Sequence, residues 1–310
     1  MNRVSLYLEQ LKDTEANPID VIWCTIRYGA SPNNYKEFNF RELTSKERDT
    51  YVTHGLSQKI IKRYNDPSYI DIFEDKTKFA KRFSTFFGRK WISTEGLTKD
   101  GLNDFIDSVE GRLIVKPACE AQGAGITVYS NVDVEEIWSK IQNMPKAILE
   151  EWIQQHEVLN TVYSDAVNCL RIITLYKDGK THFLAGGMTW GNGMKIANAS
   201  ASGIVSPVNF NTGRLDKPAA DFYGNCYRNH PITKENLIGI KVPYWKETVK
   251  MLREAATVVP EVGYIGWDIA ITPTGPIIIE GNTTPGYKYY QIPIHMDNKI
   301  GNKKRYKKWI

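Results

Sequence analysis

Asp268, Glu280 and Asn282 are the residues of this chain whose types and spacing most clearly point to chemistry. Asp268 lies inside the apolar run Gly266-Trp-Asp-Ile-Ala-Ile271, and Glu280 and Asn282 end a second run, Ile277-Ile-Ile-Glu-Gly-Asn282. Residues i and i+2 of a strand project to the same face, so Glu280 and Asn282 would enter one cleft together. Thr272-Pro-Thr-Gly-Pro276 is a turn that folds the two strands against each other. Two carboxylates and an amide oxygen are hard ligands, suited to Mg²⁺ held jointly with nucleotide phosphates. A hairpin whose polar residues merely face solvent fits the same pattern, so the motif by itself leaves both readings open.

Two further segments could hold a nucleotide. Gly111-Arg-Leu-Ile-Val-Lys116-Pro117 is a strand that delivers a lysine at its end, and Ala118-Cys-Glu-Ala-Gln-Gly123-Ala-Gly125 follows, before a β-branched run. Glycines between two strands let backbone N–H groups approach phosphate oxygens without a Cβ in the way. Their spacing and the strand that follows exclude a dinucleotide-binding fingerprint, and no G-x-x-x-x-G-K-[ST] stretch occurs. A flexible hairpin turn remains the plainer alternative. Ala147-Ile-Leu-Glu150-Glu151-Trp152-Ile153 is a short apolar strand that turns acidic, with Glu157 four residues on. Backbone groups at Glu151 and Ile153 could pair with an adenine edge and Glu157 could reach ribose hydroxyls. A solvated strand end is the competing reading.

In this order, the three segments resemble the ATP-grasp family. The matching positions are Asp75-Lys76 at a helix start, Val115-Lys116-Pro117 before the glycine loop, Glu150 to Ile153 with Glu157, and Asp268, Glu280 and Asn282. The resemblance spans residues 70–292. Within the family the chain is most similar to the branch associated with sugar transfer and polysaccharide biosynthesis, on Val167-Asn168-Cys-Leu-Arg171-Ile and the Met194-to-Pro207 segment. The resemblance implies an α+β fold in which a small α/β lobe and a larger antiparallel lobe clasp ATP and two Mg²⁺ ions. It also implies an ADP-forming carboxylate–amine ligase working through an acyl phosphate and joining an amino acid to a sugar carboxylate or amino sugar. Lys76 and Lys116 would hold phosphates with Gly123 and Gly125; Glu150, Glu151, Trp152, Ile153 and Glu157 would hold the nucleoside; Asp268, Glu280 and Asn282 would hold metal. Lys195 and Asn198 would orient an acceptor carboxylate, a stretch that reads equally as a plain surface loop.

One departure stands out. Ligases of the D-alanyl-D-alanine type carry an arginine two residues before the first metal-binding aspartate, where this chain has Gly266. By resemblance to an Asn-x-x-Arg motif, Arg171 becomes the candidate to meet the moving phosphoryl group, since a guanidinium forks onto phosphate oxygens and keeps its charge. A phosphotransferase acting on a hydroxyl shares the same nucleotide half, and a non-catalytic nucleotide-binding module is the remaining alternative.

Composition agrees with a packed, water-soluble chain. Its 310 residues are 42% hydrophobic and carry a net charge of +5. No apolar run of about 18 residues is present to span a membrane, and Glu9, Lys12 and Asp13 interrupt any secretory segment at the start. Cys24, Cys119, Cys169 and Cys226 form no Cys-x-x-Cys pair, which argues for reduced thiols and a cytoplasmic setting. Lys303, Lys304, Arg305, Lys307 and Lys308 crowd the end of the chain. They read as a solvated tail or as a contact for a membrane surface or an anionic glycan; nucleic acid is not expected, because no recognition module accompanies them.

The elements expected to position these residues divide into a helical region (1–74), a small lobe (75–146) and a large lobe (147–310). Ser45 caps a helix over 46–65, Asp75 opens a helix to Phe87, Thr98 caps 99–109 and Asp133 opens 133–143. Strands over 112–117 and 125–130 belong to the small lobe. Strands over 147–153, 158–164, 169–177 and 181–189 form the larger sheet, with Lys177-Asp-Gly-Lys180 as a hairpin turn and a helix over 244–259 covering it.

Overall fold

The computed structural model describes residues 3–120, 125–130, 133–193, 203–221 and 223–309. Among them the strands form two antiparallel sheets. The smaller contains β1 (Trp91–Ser93), β2 (Leu113–Pro117), β3 (Thr127–Tyr129) and β4 (Ala147–Glu151), in the order β1-β4-β2-β3. The larger contains β5 (Cys169–Lys177), β6 (Lys180–Trp190), β7 (Ile204–Pro207), β8 (Ala219–Ala220), β9 (Cys226–Tyr227), β10 (Tyr264–Thr272) and β11 (Gly275–Asn282), in the order β11-β10-β5-β6-β7-β8-β9. Asp178 and Gly179 both take positive φ in the β5–β6 turn, the backbone that an Asp-Gly hairpin requires. This is the α+β architecture expected from the sequence.

Two strand assignments change. Ala147–Glu151 pairs with β2, from Leu113 opposite Glu151 to Pro117 opposite Ala147, and so belongs to the small sheet rather than the large one. Its alternation explains the ambiguity. Ala147 and Leu149 pack into the small-lobe core, whereas Ile148 packs into the large-lobe core. A strand apolar on both faces reads alike in either sheet. The second change is at 158–164, where the structure has a helix, Glu157–Val162, with His156 accepting from the Val158 N–H at its start. Leu159 and Val162, three apart, form its buried face, the spacing of a helix rather than of a strand.

The helix expected over 46–65 is two pieces, Ser45–Arg48 and His54–Tyr64. Thr44, not Ser45, caps the first, in a capping box with Glu47. The interruption has a cause elsewhere in the chain: both the N–H and the C=O of Val52 bond the Gln291 side chain. Backbone groups committed there cannot take part in a helical ladder. Asp75, Thr98 and Asp133 cap the helices Lys76–Arg82, Lys99–Ser108 and Val134–Gln142. The segment to Phe87 continues as a separate short helix after a break at Phe83.

The large sheet is covered on both faces. Leu170, Ile172, Trp267 and Ile269 pack on one side with the Trp245–Ala255 helix and with Phe73, Phe79 and Phe83. Ile173, Leu175 and Tyr264 pack on the other with the N-terminal helices and with Tyr287, Tyr290 and Tyr306. Arg171, two residues from Ile173, shares that second face.

Candidate functional site

The site begins as a register. β10 places Gly266 opposite Asn282 and Asp268 opposite Glu280, and β5 places Arg171 opposite Asp268. Directly paired residues share a face, so three strands aim Arg171, Asp268, Glu280 and Asn282 into one space. The register shifts just after Asp268, where Ile269 faces Ile278 and Ile279 becomes the extra residue of a bulge. A bulge re-aims side chains and leaves backbone groups unpaired. Gly281 is needed between the two ligands, because a Cβ there would lie 2.9 Å from Phe73 and 3.2 Å from Phe79. Its missing side chain lets β11 lie directly on the segment that carries Lys76.

The electrostatics of this face are uneven. Arg171 grips Asp268 with two parallel hydrogen bonds, Nε to Oδ1 and Nη2 to Oδ2. The Asn282 amide donates to Asp268 Oδ2 (3.3 Å), Glu280 Oε1 (3.4 Å) and the Gly266 carbonyl (3.4 Å). Burial, followed by the charge of Asp268, pushes the Glu280 pKa above the ordinary carboxylate range, against the pull of Arg171, Lys116 and Lys76. The guanidinium is thus spent on Asp268, and Glu280 beside it has no cation bonded to it among the described residues, a pair of carboxyls that a divalent cation would neutralise. Among the described residues no three His, Cys, Asp or Glu side chains converge, so the Asn282 oxygen and phosphate oxygens would have to complete any metal shell. At Gly266, Pro285 sits 3.4 Å from where a Cβ would be, and the cation on this face comes from the neighbouring strand β5.

The small lobe supplies the opposing charges. Lys116 and Glu150 lie on the face of the small sheet that Ile148 turns toward the large lobe, for Lys116 is paired with Ile148 and Glu150 is two residues away. Lys116 Nζ bonds Glu150 Oε2 at 2.9 Å, and Arg89 Nε bonds the same oxygen at 2.7 Å. Burial alone would raise the Glu150 pKa, but the two cations overcome it and hold the carboxyl at about 2. Arg89 also donates to the Ile278 carbonyl (3.0 Å) and to the bulged Ile279 carbonyl (3.3 Å). One side chain therefore ties the small sheet to the strand that ends in Glu280 and Asn282.

Lys76 approaches from the helix start. Its N–H bonds the Ala118 carbonyl (2.9 Å) and its Nζ bonds the Glu120 carbonyl, fastening the beginning of the glycine segment. Burial pulls the Lys76 pKa down and Lys116 adds to that, while Glu280 and Glu150 oppose it. Asp75 caps this helix and bonds Lys146 at 2.9 Å; burial raises its pKa, but Thr77 and Lys146 prevail and hold it at about 2. Gly125 has φ +69°, and a Cβ there would lie 2.7 Å from Pro117. Gly123, Lys195 and Asn198 lie outside the described residues.

The connecting segment is fixed through its backbone. The Glu151 N–H donates to the Lys90 carbonyl and the Trp152 N–H to the Arg112 carbonyl, each at 3.0 Å. Those two amides are therefore already committed, which moves any base-edge donor to Ile153. The His156 N–H bonds the Ile271 carbonyl of β10 (2.7 Å), and Gln155 binds Asn168 at the start of β5. Exposed Glu157 opens the helix that follows. Glu150 differs from its neighbours: it is buried and acts on the site through Lys116 and Arg89. Arg89 was missed by sequence reasoning, because nothing in Phe86-Phe-Gly-Arg-Lys-Trp91 marks it apart from a lone cation among aromatics.

Two sheets clasping a polar cleft, with lysines on one side and an Asp/Glu/Asn set on the other, define an ATP-grasp architecture. The chain belongs to the sugar-transfer-associated ATP-grasp family, whose sequence profile matches residues 136–305. No curated protein matches the chain. Among solved structures it is similar to an N5-carboxyaminoimidazole ribonucleotide synthetase in complex with ADP (12% identity, TM-score 0.46, covering 70% of this chain and 46% of that one). It is also similar to the ATP-grasp ligase PsnB with a minimal precursor (13% identity, TM-score 0.47, 76% and 60%). A third is the D-alanine–D-alanine ligase of Bacillus anthracis with ATP (16% identity, TM-score 0.42, 70% and 56%). The chain thus spans between 46% and 60% of the length of these structures.

Proposed function

We propose that this protein is an ATP-dependent carboxylate–amine ligase that joins an amino acid to a sugar carboxylate or amino sugar in polysaccharide biosynthesis, in the cytoplasm. The observation that carries the reading is the opposition of Lys76 and Lys116 to Asp268, Glu280, Asn282 and Arg171, close enough that Glu280 feels both lysines. In this reading the small lobe, which by sheet membership extends to Glu151, and the large lobe close on ATP. Lys76, Lys116 and the loop of Gly123 and Gly125 hold phosphates. Glu151, Trp152, Ile153 and Glu157 hold the nucleoside, with Glu150 keeping Lys116 in place.

Asp268, Glu280 and Asn282 would hold Mg²⁺, two ions in the full site, and the donor set fits: hard oxygens with carboxylate charge in excess. Bound there, Mg²⁺ supplies neutralisation of phosphate charge. The protein's own part is positioning and charge. Lys195 and Asn198 orient the acceptor carboxylate, whose oxygen bonds the γ-phosphorus as the bond to the β–γ bridging oxygen breaks, leaving ADP and an acyl phosphate. Arg171 lies beside Asp268, where its guanidinium can turn to the equatorial oxygens. An amine then attacks the acyl carbon, loses a proton, and phosphate departs as the amide forms.

The basic end of the chain enters this reading only as a peripheral contact for membrane or anionic glycan. It is not a free tail: Tyr306 is buried, Lys303 bonds Asp49 (2.9 Å) and Trp309 packs on His182. The test is ADP release across a matrix of amino acids with uronic and amino sugars, with mass analysis of products. An amide that requires both partners supports the ligase. A phosphorylated product from one partner makes the protein a phosphotransferase, and tight ATP binding without turnover makes it a binding module.

A further inference from the structure

The Pro18–Tyr28 helix is built inside out. Asn17 caps its start and Gly29, at φ +65°, closes its end, so it is a well-defined element. Its buried side is modest, Val21 and Cys24, with Asp20 tied to Arg48 and Tyr35. Its outer side is Ile19, Ile22, Trp23 and Ile26, exposed by 77%, 43%, 53% and 76%. The spacing i, i+3, i+4, i+7 makes them one continuous stripe. Leu6 and Leu8 of the preceding helix are also exposed, by 43% and 51%.

Such a stripe is large for a monomer. With free areas of roughly 180 Å² for Ile and about 250 Å² for Trp, the four residues present about 500 Å², at the upper end of what single chains leave uncovered. A standard protein–protein contact buries about 800 Å² per partner, so the stripe supplies more than half of one. The surrounding charge selects the occupant. Between Ser5 and Tyr28, and on the Pro32–Glu37 and Ser45–Arg48 segments packed against this helix, the exposed charges are Glu9, Asp13 and Glu15 against Lys12, Arg27, Lys36 and Lys46, close to balance. That mixture gives an anionic lipid surface nothing to be drawn to. It suits a like surface, where acids and bases can pair reciprocally across a two-fold axis.

We infer that the Ile19, Ile22, Trp23 and Ile26 face is the contact through which two copies of this chain associate, helix against helix. Sedimentation velocity of the full chain tests it. The expected result is a dimer at micromolar concentration (Kd of roughly 1 μM), and a monomer for Trp23→Asp and Ile26→Asp. Both variants should keep the far-UV spectrum of the parent, and its melting temperature at concentrations below the dissociation constant, because the altered side chains face outward. Ile19→Gln, a milder change, should weaken association at least about tenfold. A parent protein that stays monomeric at about 50 μM, or variants that remain dimers, overturn the inference. A monomer that floats with phospholipid vesicles would overturn it in favour of a bilayer.

Discussion

Replacing Glu150 by Gln removes the one negative charge that holds Arg89 and Lys116 together. The side chain is 3% exposed, and the 2.7 and 2.9 Å contacts end on the same oxygen. Its carboxyl sits at about 2 instead of the ordinary 4.5, a difference that corresponds to about 3 kcal/mol of stabilisation at neutral pH. That agrees in size with the cost of stranding one side of a buried ion pair, about 3–5 kcal/mol. Because the folded-state pKa is depressed, the contribution is complete above the unfolded value of 4.5 and is lost as pH falls toward 2. Guanidinium unfolding of parent and Glu150→Gln should therefore differ by about 3 kcal/mol at pH 7 and by less than half of that at pH 3. Lys116 also loses its anchor, so the ATP KM should rise together with the fall in stability. A variant as stable as the parent at pH 7, or a gap that does not shrink in acid, would refute the account of Arg89, Glu150 and Lys116 as the tie between lobes.

Three more outcomes are expected. In the ligand-free protein, Glu280 is a buried carboxyl with a raised pKa, so its charge costs stability as pH rises through that value; Glu280→Gln should raise the pH 7 melting temperature while abolishing both the thermal shift caused by Mg²⁺ and Mg²⁺-dependent ADP formation. Arg171→Lys keeps the charge but loses the two-donor fork that now holds Asp268, so kcat should fall about 100-fold with ATP KM changed by less than about threefold; equal losses in both would assign Arg171 to ground-state binding. Gly281→Ala drives a methyl into Phe73 and Phe79 and should cost about 1–3 kcal/mol in thermal or urea unfolding, an unchanged melting curve being evidence that β11 does not press on that segment.

What the sequence reveals and what it hides divide along one physical line. That Asp268, Glu280 and Asn282 share one face was legible because strand alternation and the turn at Pro273-Thr-Gly275 are local properties, and the register obeys them. Asp75, Thr98 and Asp133 were legible as caps for the same reason: a cap bonds amides two or three residues away. β4 was misplaced because its sheet is decided by β2, more than thirty residues earlier, and an apolar strand carries no mark of its partner. The break after Arg48 was invisible because Gln291, far along the chain, imposes it.

Arg89 belongs to that second class, and its placement shows why a spacing motif alone cannot describe this site. Ion pairing is resolved within each half of the cleft: Glu150 lies between Arg89 and Lys116, and Asp268 lies against Arg171. Glu280 is left with a raised pKa and, among the described residues, no cation bonded to it, while Lys76 is left with a lowered one and a carbonyl for a partner. A buried carboxyl that favours losing its charge and a lysine that favours losing its own, on opposite walls, are each poorly solvated as they stand. A polyphosphate with a divalent cation would correct both at once, the anion meeting Lys76 and the cation meeting Glu280. Part of the binding energy for such a ligand would thus come from relieving this unfavourable burial. The Glu280→Gln variant, more stable and unresponsive to Mg²⁺, is the measurement that reads it.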